Sequence, residues 1–377
     1  MKKLRSKIRF LIIRVIAPFM IDVVGRLLPR HKKTLLVVKT DGIGDYILFR
    51  NFLRSIRKSD VFRDWKIHLL ANAASKELVL KLDSDIVDQF FWYSDDYFMK
   101  WNLIKLLTAL QRLRPETILY SNYSRRYTLD WLIRHVRASH KIAVDGDTIN
   151  ETTDEKSKGN RYYSKLIQAD ARPMHEFDRN KSIIEMVTGE NACIAAPFIE
   201  KEKLNISPNN SVVIFTGAST PQKTWPLANF HCLCKKLTSE FALNIIIVDG
   251  KEDLKGFAEL TVGLPEGRVQ VLRGLGLVAL CELIGGSKLV LSGDTMAIHI
   301  AAALSIPAVC IAKGDLYGRF IPYPRIVAER MQCVFPNRFE EETFNYGRYS
   351  TFNIVDVSPE RVYRAVEKTL TMAEVKS

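Results

Sequence analysis

The chain has little that would build a metal centre or a disulfide framework. Its six cysteines (Cys193, Cys232, Cys234, Cys281, Cys310 and Cys333) form no C-x-x-C pair, and its seven histidines are scattered. Zinc ligands recur at short fixed spacings, so a structural zinc is not expected; the thiols read as buried and reduced, in a cytosolic protein. There is no polar low-complexity tract, and 47% of the 377 residues are hydrophobic. That excludes a disordered chain and gives a length suited to two domains. Basic residues outnumber acids, for a net charge of +13, but residues 1–33 hold ten Lys or Arg and one acid (Asp22), which leaves only +4 for the rest. A body built to follow a nucleic-acid backbone is therefore not indicated.

The N-terminal segment "MKKLRSKIRFLIIRVIAPFMIDVVGRLLPRHKK" also lacks a charge-free run of about 20 residues that would cross a bilayer. Arg14 and Asp22 interrupt its apolar stretch and no A-x-A site follows, so a signal peptide is not expected. Leu4, Ile8, Leu11, Ile12, Val15, Ile16 and Phe19 recur at helical spacing among Lys and Arg. This suits a helix lying in the interface of an anionic inner leaflet, kinked at Pro18. The alternative is an extra helix packed on the first domain.

Beyond Lys33, short apolar runs alternate with amphipathic ones. "TLLVVK", "KIHLLA", "DQFFWY", "TILYS" and "KIAV" read as strands, separated by helical stretches such as "DYILFRNFLRSIRKS" and "WNLIKLLTALQRL". Residues 145–170 are polar and read as a long loop, and "HEFDRNKSIIEMV" as a helix closing this half. A second series, "SVVIFT", "NIIIVD", "VQVL", "KLVLS" and finally "PAVCIA", starts near residue 211, with helices that include "EDLKGFAEL" and "TMAIHIAAALS". Strand–helix alternation implies parallel sheets. The fold class is α/β: two Rossmann-like doubly wound domains, with a ligand expected in a central cleft at the carboxyl ends of strands. The expected division is a basic extension over 1–33, a first domain over 34–190, a linker over 191–210, a second domain over 211–355 and a C-terminal helix over 356–377.

Three turns carry candidate chemistry. In "VVKTDGIGDYIL", Gly42 and Gly44 stand between a buried strand and a helix whose N-terminus offers amide donors. Ile47 occupies the third glycine of a dinucleotide fingerprint, and Asn72 stands where an acid would end the second strand, so a nicotinamide cofactor is excluded. Asp45 either complements the helix dipole or serves as a general base. Lys39 either pairs with an aspartate or meets an anionic substrate. In "FTGASTPQKTWP", Gln222 and Pro226 rule out a Walker A loop, yet Ser219, Thr220 and Lys223 suit a phosphate. In "LVLSGDTMAIHIAAALSIPAV", Thr295 and His299 share one helical face behind Asp294. His299 is either a core residue or, with the amides at 295–297, a diphosphate ligand.

Together these motifs resemble the ADP-heptose:lipopolysaccharide heptosyltransferases, glycosyltransferase family 9, of GT-B fold. The resemblance rests on "DGIGDYIL", "QKTWP" and "DTMAIHIAAALSIPAV", and spans roughly 34–325. It implies an inverting transfer from a nucleotide-sugar donor to a glycolipid or saccharide acceptor of the cell surface, without metal or other cofactor, by a cytoplasmic protein peripheral to the membrane. Asp45 then resembles the catalytic base, Lys223 the lysine on the donor phosphates, and Asp294, Thr295 and His299 the donor-binding cluster. Glu252 falls where the family contacts the nucleotide. Met296 departs from the pattern, since the family has glycine there; this bears on the sugar more than on the diphosphate. Two other readings stay open: a related transferase using another nucleotide-sugar for O-antigen or capsule, and a non-catalytic nucleotide-binding protein at the membrane.

Overall fold

A computed structural model of the chain describes residues 13, 16–27, 31–99, 101–170, 172–218, 220–249, 260–337 and 349–375. It divides into two units, one of Met1–Ala171 with Arg179–Cys193, the other of Arg172–Asp178 with Ile194–Ser377.

The first unit is organised by a six-stranded sheet. Its strands are β1 (Thr34–Lys39), β2 (Lys66–Asn72), β3 (Gln89–Tyr93), β4 (Thr117–Tyr120), β5 (His140–Asp145) and β6 (Lys165–Gln168). They pair in parallel in the order β3-β2-β1-β4-β5-β6. All six residues of β1 are buried, as a strand covered on both faces must be; Val38, for example, lies between Leu70 and Tyr120. The second unit repeats the plan with β7 (Ser211–Phe215), β8 (Asn244–Asp249), β9 (Val269–Arg273), β10 (Leu289–Gly293), β11 (Ala308–Ile311) and β12 (Met331–Val334), ordered β12-β11-β10-β7-β8-β9. Each sheet thus runs outward from its first strand in both directions. The reversal falls between β1 and β4 in one and between β7 and β10 in the other. In doubly wound folds, ligands gather at that point, beyond the carboxyl ends of the strands.

Several elements depart from the reading above. Residues 145–170 are not a loop: they contain a helix, Thr153–Asn160, and the edge strand β6. The helix has almost no apolar face. Its support is polar: Thr152 and Glu155 form a reciprocal capping box, Lys156 reaches Asp145 at 2.9 Å, and Gly159 lets Asp130 come so close that a Cβ there would lie 2.2 Å from its Oδ2. "PAVCIA" is not the last strand, because β12 pairs beyond it. Pro18 stands in the first turn of the α-helix Ala17–Leu27, and most of the residues before it, on which the expected kink depends, lie outside the described ones. That helix packs on Trp101–Leu113, with Ile21 against the core and a Cβ on Gly25 only 1.8 Å from Gln111. Its other side leaves Ile16, Met20 and Val23 exposed. Among the described residues, no helix is long and apolar enough to cross a membrane. The cysteines are unpaired, but Cys193 and Cys232 are exposed rather than buried. Most of the helix expected around 252–260 lies outside the described residues.

Candidate active site

The second unit assembles its polar groups at the switch point. β7 ends at Phe215, and the chain crosses to the 3-10 turn Pro221–Lys223 and the helix Leu227–Glu240. What fixes this crossing is Trp225. Its indole is 2% exposed, lies edge-on to Phe230 at 4.8 Å, and donates from Nε1 to the Val357 carbonyl at 2.9 Å. A tryptophan buried with its N–H satisfied is a firm anchor, and Pro226 restricts the backbone after it. Lys223, two residues upstream, inherits that position. Its Nζ stands 4.0 Å from Asp294 and 3.9 Å from Asp315. Lys313 reaches the same Asp315 at 3.2 Å, and Asp315 also accepts from the Ser350 amide at 2.8 Å.

Asp294 and Thr295 follow β10 directly. Thr295 is the N-cap of Met296–Leu304: its Oγ1 accepts from the Ala297 amide at 3.3 Å and lies 2.9 Å from Ser292 Oγ. The Ile298 amide donates to the Thr295 carbonyl at 3.2 Å, so Thr295 takes up both the Ala297 and the Ile298 amide of the first turn. Burial raises the Asp294 carboxyl, the Lys223 charge opposes this and Asp315 reinforces it. Met296 occupies the first helical position and is partly exposed. Thr220 precedes the 3-10 turn and its carbonyl accepts from the Lys223 amide at 3.1 Å. Ser219 and Glu252 lie outside the described residues.

His299 is placed differently. It is 4% exposed, and Nδ1 meets the Tyr323 hydroxyl at 2.7 Å. Phe320 and His175 complete this aromatic cluster. Burial, with a smaller contribution from His175, pushes its pKa down to about 3. His175 accepts from the Phe177 amide on Nδ1, which leaves Nε2–H to donate to the Phe320 carbonyl at 2.8 Å. Its lowered pKa, due first to burial, agrees with a neutral ring.

In the first unit, the turn after β1 is tightly braced. Lys39 is 1% exposed; its Nζ pairs with Asp41 at 3.1 Å, donates to Asn180 at 3.4 Å and lies 5.2 Å from the Phe49 ring centroid. Of its two readings, the aspartate partner is the one observed. Asn72, noted above only as the wrong residue for a nicotinamide site, donates to the carbonyls of Thr40 and Asp41 at 3.3 and 3.1 Å. It clamps the turn. The helix Ile43–Phe49, which contains Gly44, is held from below by Asp83, which accepts from Tyr46 at 2.7 Å and from both sides of the Arg50 fork at 2.9 and 3.2 Å. Asp45 sits in the first turn of this pinned helix, partly exposed. Gly42 is its N-cap with an ordinary φ of −65°; a Cβ there would lie 3.0 Å from Asp45 Oδ2, so the carboxylate would have to give way slightly.

Sequence reasoning did not reach Asp315 and Lys313. They form a K-x-D group just past β11, one strand from the switch point, and that placement was the available signal. It also missed a buried group in the first unit. Arg125 lies 3.4 Å from Asp130 and 3.8 Å from Glu151, Tyr163 donates to Asp130 at 2.5 Å, and Asn160 accepts from Arg125. Among the described residues, no group of three or more His, Cys, Asp or Glu could hold a metal.

Comparison with known proteins bears on this arrangement. Residues 175–323 match the model of glycosyltransferase family 9 (heptosyltransferase). No curated protein sequence matches the chain. Among solved structures, the E. coli heptosyltransferase WaaC with ADP-2-deoxy-2-fluoro heptose superposes with a TM-score of 0.69 at 16% identity, covering 89% of this chain and 99% of that one. A glycosyl transferase family 9 protein from Veillonella parvula gives 0.68 at 14% identity, over 91% and 99%. The E. coli ADP-heptose lps heptosyltransferase II gives 0.65 at 16%, over 90% and 99%. The matched stretch holds two of the three motifs, "QKTWP" and "DTMAIHIAAALSIPAV", and the two six-stranded sheets are the GT-B fold.

Proposed function

We propose that the chain is a family 9-like glycosyltransferase that moves a heptose-like sugar from an ADP-heptose-like donor to a lipopolysaccharide or related cell-surface glycan, with inversion and without a metal. The observation that carries this is the Trp225-anchored Lys223, held beside Asp294, Asp315 and the N-terminus of Met296–Leu304 at the switch point of the second sheet. WaaC, whose fold this chain shares, was solved with an ADP-sugar analogue.

In this reading the second unit binds the diphosphate. Lys223 and the positive end of the Met296–Leu304 helix dipole take up the negative charge that grows on the leaving group as the anomeric C–O bond breaks. These fixed donors fill the role that a divalent cation would otherwise have. An acceptor hydroxyl attacks the opposite face of the anomeric carbon, and Asp45 takes its proton as the new C–O bond forms. The pinning of its helix by Arg50, Asp83 and Tyr46 holds that carboxylate in one place. His299, neutral and bound to Tyr323, sets the helix Met296–Leu304 rather than contributing charge. The functional domains proposed are an acceptor-side domain over 34–190 and a donor-binding domain over 211–355, joined by 191–210 and closed by the helix of 356–377. Residues 1–33 place the protein on the cytoplasmic face of an anionic membrane.

Met296 favours a second reading, in which the same machinery takes a different nucleotide-sugar for O-antigen or capsule. A panel of ADP-, UDP- and GDP-sugars separates the two: ADP-heptose turnover supports the first reading, and turnover of another donor alone supports the second. Asp45→Asn should lower kcat by about 10²- to 10⁴-fold with donor affinity retained. Binding without turnover of any donor, by the wild type as by the variant, would make the protein a non-catalytic nucleotide binder.

A further inference from the structure

Two cysteines stand side by side in the second sheet. Cys310 and Cys333 are register partners on the parallel strands β11 and β12. In-register neighbours lie about 4.8 Å apart and send their side chains to the same face of the sheet. That separation falls within the span of about 4.4–6.8 Å found between the Cα atoms of bridged cysteines. Their thiols interact already: a hydrogen bond with Cys333, and after it burial, raises the Cys310 pKa. Cys310 is fully buried, whereas Cys333, on the edge strand β12, is half-buried. Cys333 is therefore the sulfur that a small oxidant reaches first.

The pair lies on the face that serves the proposed donor cluster. Val309 and Ile311, on either side of Cys310, belong to the core that packs on Leu227–Glu240 and Pro359–Val375. Alternation along β11 turns Cys310 to the other face, that of Met296–Leu304. Its row across the sheet runs Ser292, Cys310, Cys333, and Ser292 Oγ lies 2.9 Å from the Oγ1 of Thr295, the N-cap of that helix. The charges of Asp294 and Lys223 act on Cys310, and both thiols act on Tyr323, which meets His299. Just past the row the Ala312 amide donates to the Val334 carbonyl at 3.1 Å, and the chain goes on to Lys313 and Asp315. A covalent link in this row would shift the strand ends that position those groups.

Resting on the donor-site reading given above, we propose that Cys310 and Cys333 form an oxidation site, in which peroxide joins them as a cross-strand disulfide and thereby weakens donor binding. The Cys333 thiolate attacks one oxygen of hydrogen peroxide; the O–O bond breaks, the sulfur is oxidised to a sulfenic acid and hydroxide leaves. The Cys310 sulfur then attacks the Cys333 sulfur; the S–O bond breaks, and the departing hydroxide takes the Cys310 proton and leaves as water. A dithiol reductant reverses the bond by exchange.

The test uses the full chain, treated with hydrogen peroxide, quenched, mapped by mass spectrometry of proteolytic peptides and titrated with ADP by calorimetry. The peptides holding Cys310 and Cys333 should be joined with loss of two hydrogens. The Kd for ADP should rise about 5- to 150-fold, the usual range for coupling between two sites, and return with dithiothreitol. Cys333→Ser should bind ADP as the reduced wild type does and lose the peroxide effect. Cys193→Ser with Cys232→Ser, which removes the two exposed thiols, should keep it. The absence of the joined peptide, a joined peptide with unchanged Kd, or a peroxide effect that persists in Cys333→Ser would each overturn the proposal and leave the donor reading standing. Reduced wild type that binds no ADP would overturn the donor reading and the proposal together. Circular dichroism on each variant, and Cys333→Ala as a second substitution, guard against loss through misfolding.

Discussion

Replacing Glu151 by glutamine should change how stability depends on pH, by an amount the structure supplies. Glu151 is 6% exposed, neither of its carboxyl oxygens has a hydrogen-bond partner, and its ion-pair contact is Arg125 at 3.8 Å. Burial pushes its pKa up from 4.5 to about 7, the charge of Asp130 adds to this and Arg125 opposes it. The folded state therefore binds the Glu151 proton more tightly than the unfolded chain does. The resulting stability is fully present below pH 4.5 and is lost as pH rises through 7. A shift of that size corresponds to about 3 kcal/mol, at 1.36 kcal/mol per unit. Between pH 5 and pH 8 the wild type should lose roughly 2 to 3 kcal/mol through this group, and Glu151→Gln, which has no proton to lose, should not. Urea unfolding at a series of pH values reads the difference between the two slopes, so a constant offset from the amide itself does not enter. Parallel slopes for the two proteins would refute the reasoning, and so would a variant that loses stability relative to wild type as pH rises. Either would mean that Glu151 is ionised in the native state and held by Arg125.

Gly42→Ala should fold normally, since φ is −65°, yet lower kcat by about three- to tenfold, because the Asp45 carboxylate must shift slightly to clear the new Cβ; kinetics beside thermal melting decide, and unchanged kcat would show that Asp45 is not confined there. Lys223→Ala should raise the Kd for ADP by about 10- to 100-fold, the range for one hydrogen bond to a charged group, read by calorimetry; equal affinity would remove the lysine from the phosphate site. ADP binding should take up protons, seen as a heat that scales with the ionisation enthalpy of the buffer, and the absence of that scaling would refute the role given to Asp294 below.

The strands and long helices were legible because burial leaves a simple trace. "TLLVVK" and "SVVIF" are continuous apolar runs, and Trp101–Leu113 coincides with its amphipathic stretch. Thr153–Asn160 was not, because it buries almost no apolar surface; its one written sign was the Thr152-x-x-Glu155 capping box. β12 is four residues at a sheet edge, too short for a periodic signal. At the site, Lys223 and Asp294 stood in strand–loop–helix contexts that announce a ligand end. Asp315 and Lys313 stood in an aperiodic loop, and only the sheet order brings that loop beside them. The dual readings of Lys39 and His299 needed partners that sequence cannot display: Asp41 for one and Tyr323 for the other.

At rest the proposed donor site is electrically closed, and that governs how it would open. Lys223 lies 3.9 to 4.0 Å from two carboxylates, beyond hydrogen-bond length, whereas Lys313 holds Asp315 at 3.2 Å. Lys223 is thus tethered by charge alone and can turn to a phosphate oxygen without breaking a hydrogen bond. Asp315 keeps Lys313 and the Ser350 amide when it does so. Among the described residues, Asp294 does not have that reserve. Its carboxyl is already raised by burial, and Lys223 is the group that restrains the rise. Once Lys223 serves a diphosphate, and the diphosphate adds its own negative charge, the proton affinity of Asp294 must increase again. A protonated Asp294 ceases to repel the ligand and gains an O–H to donate to it. On this reasoning the aspartate beside the lysine is a proton acceptor coupled to donor binding, which is why binding should draw protons from solution and strengthen as pH falls toward the range of that carboxyl.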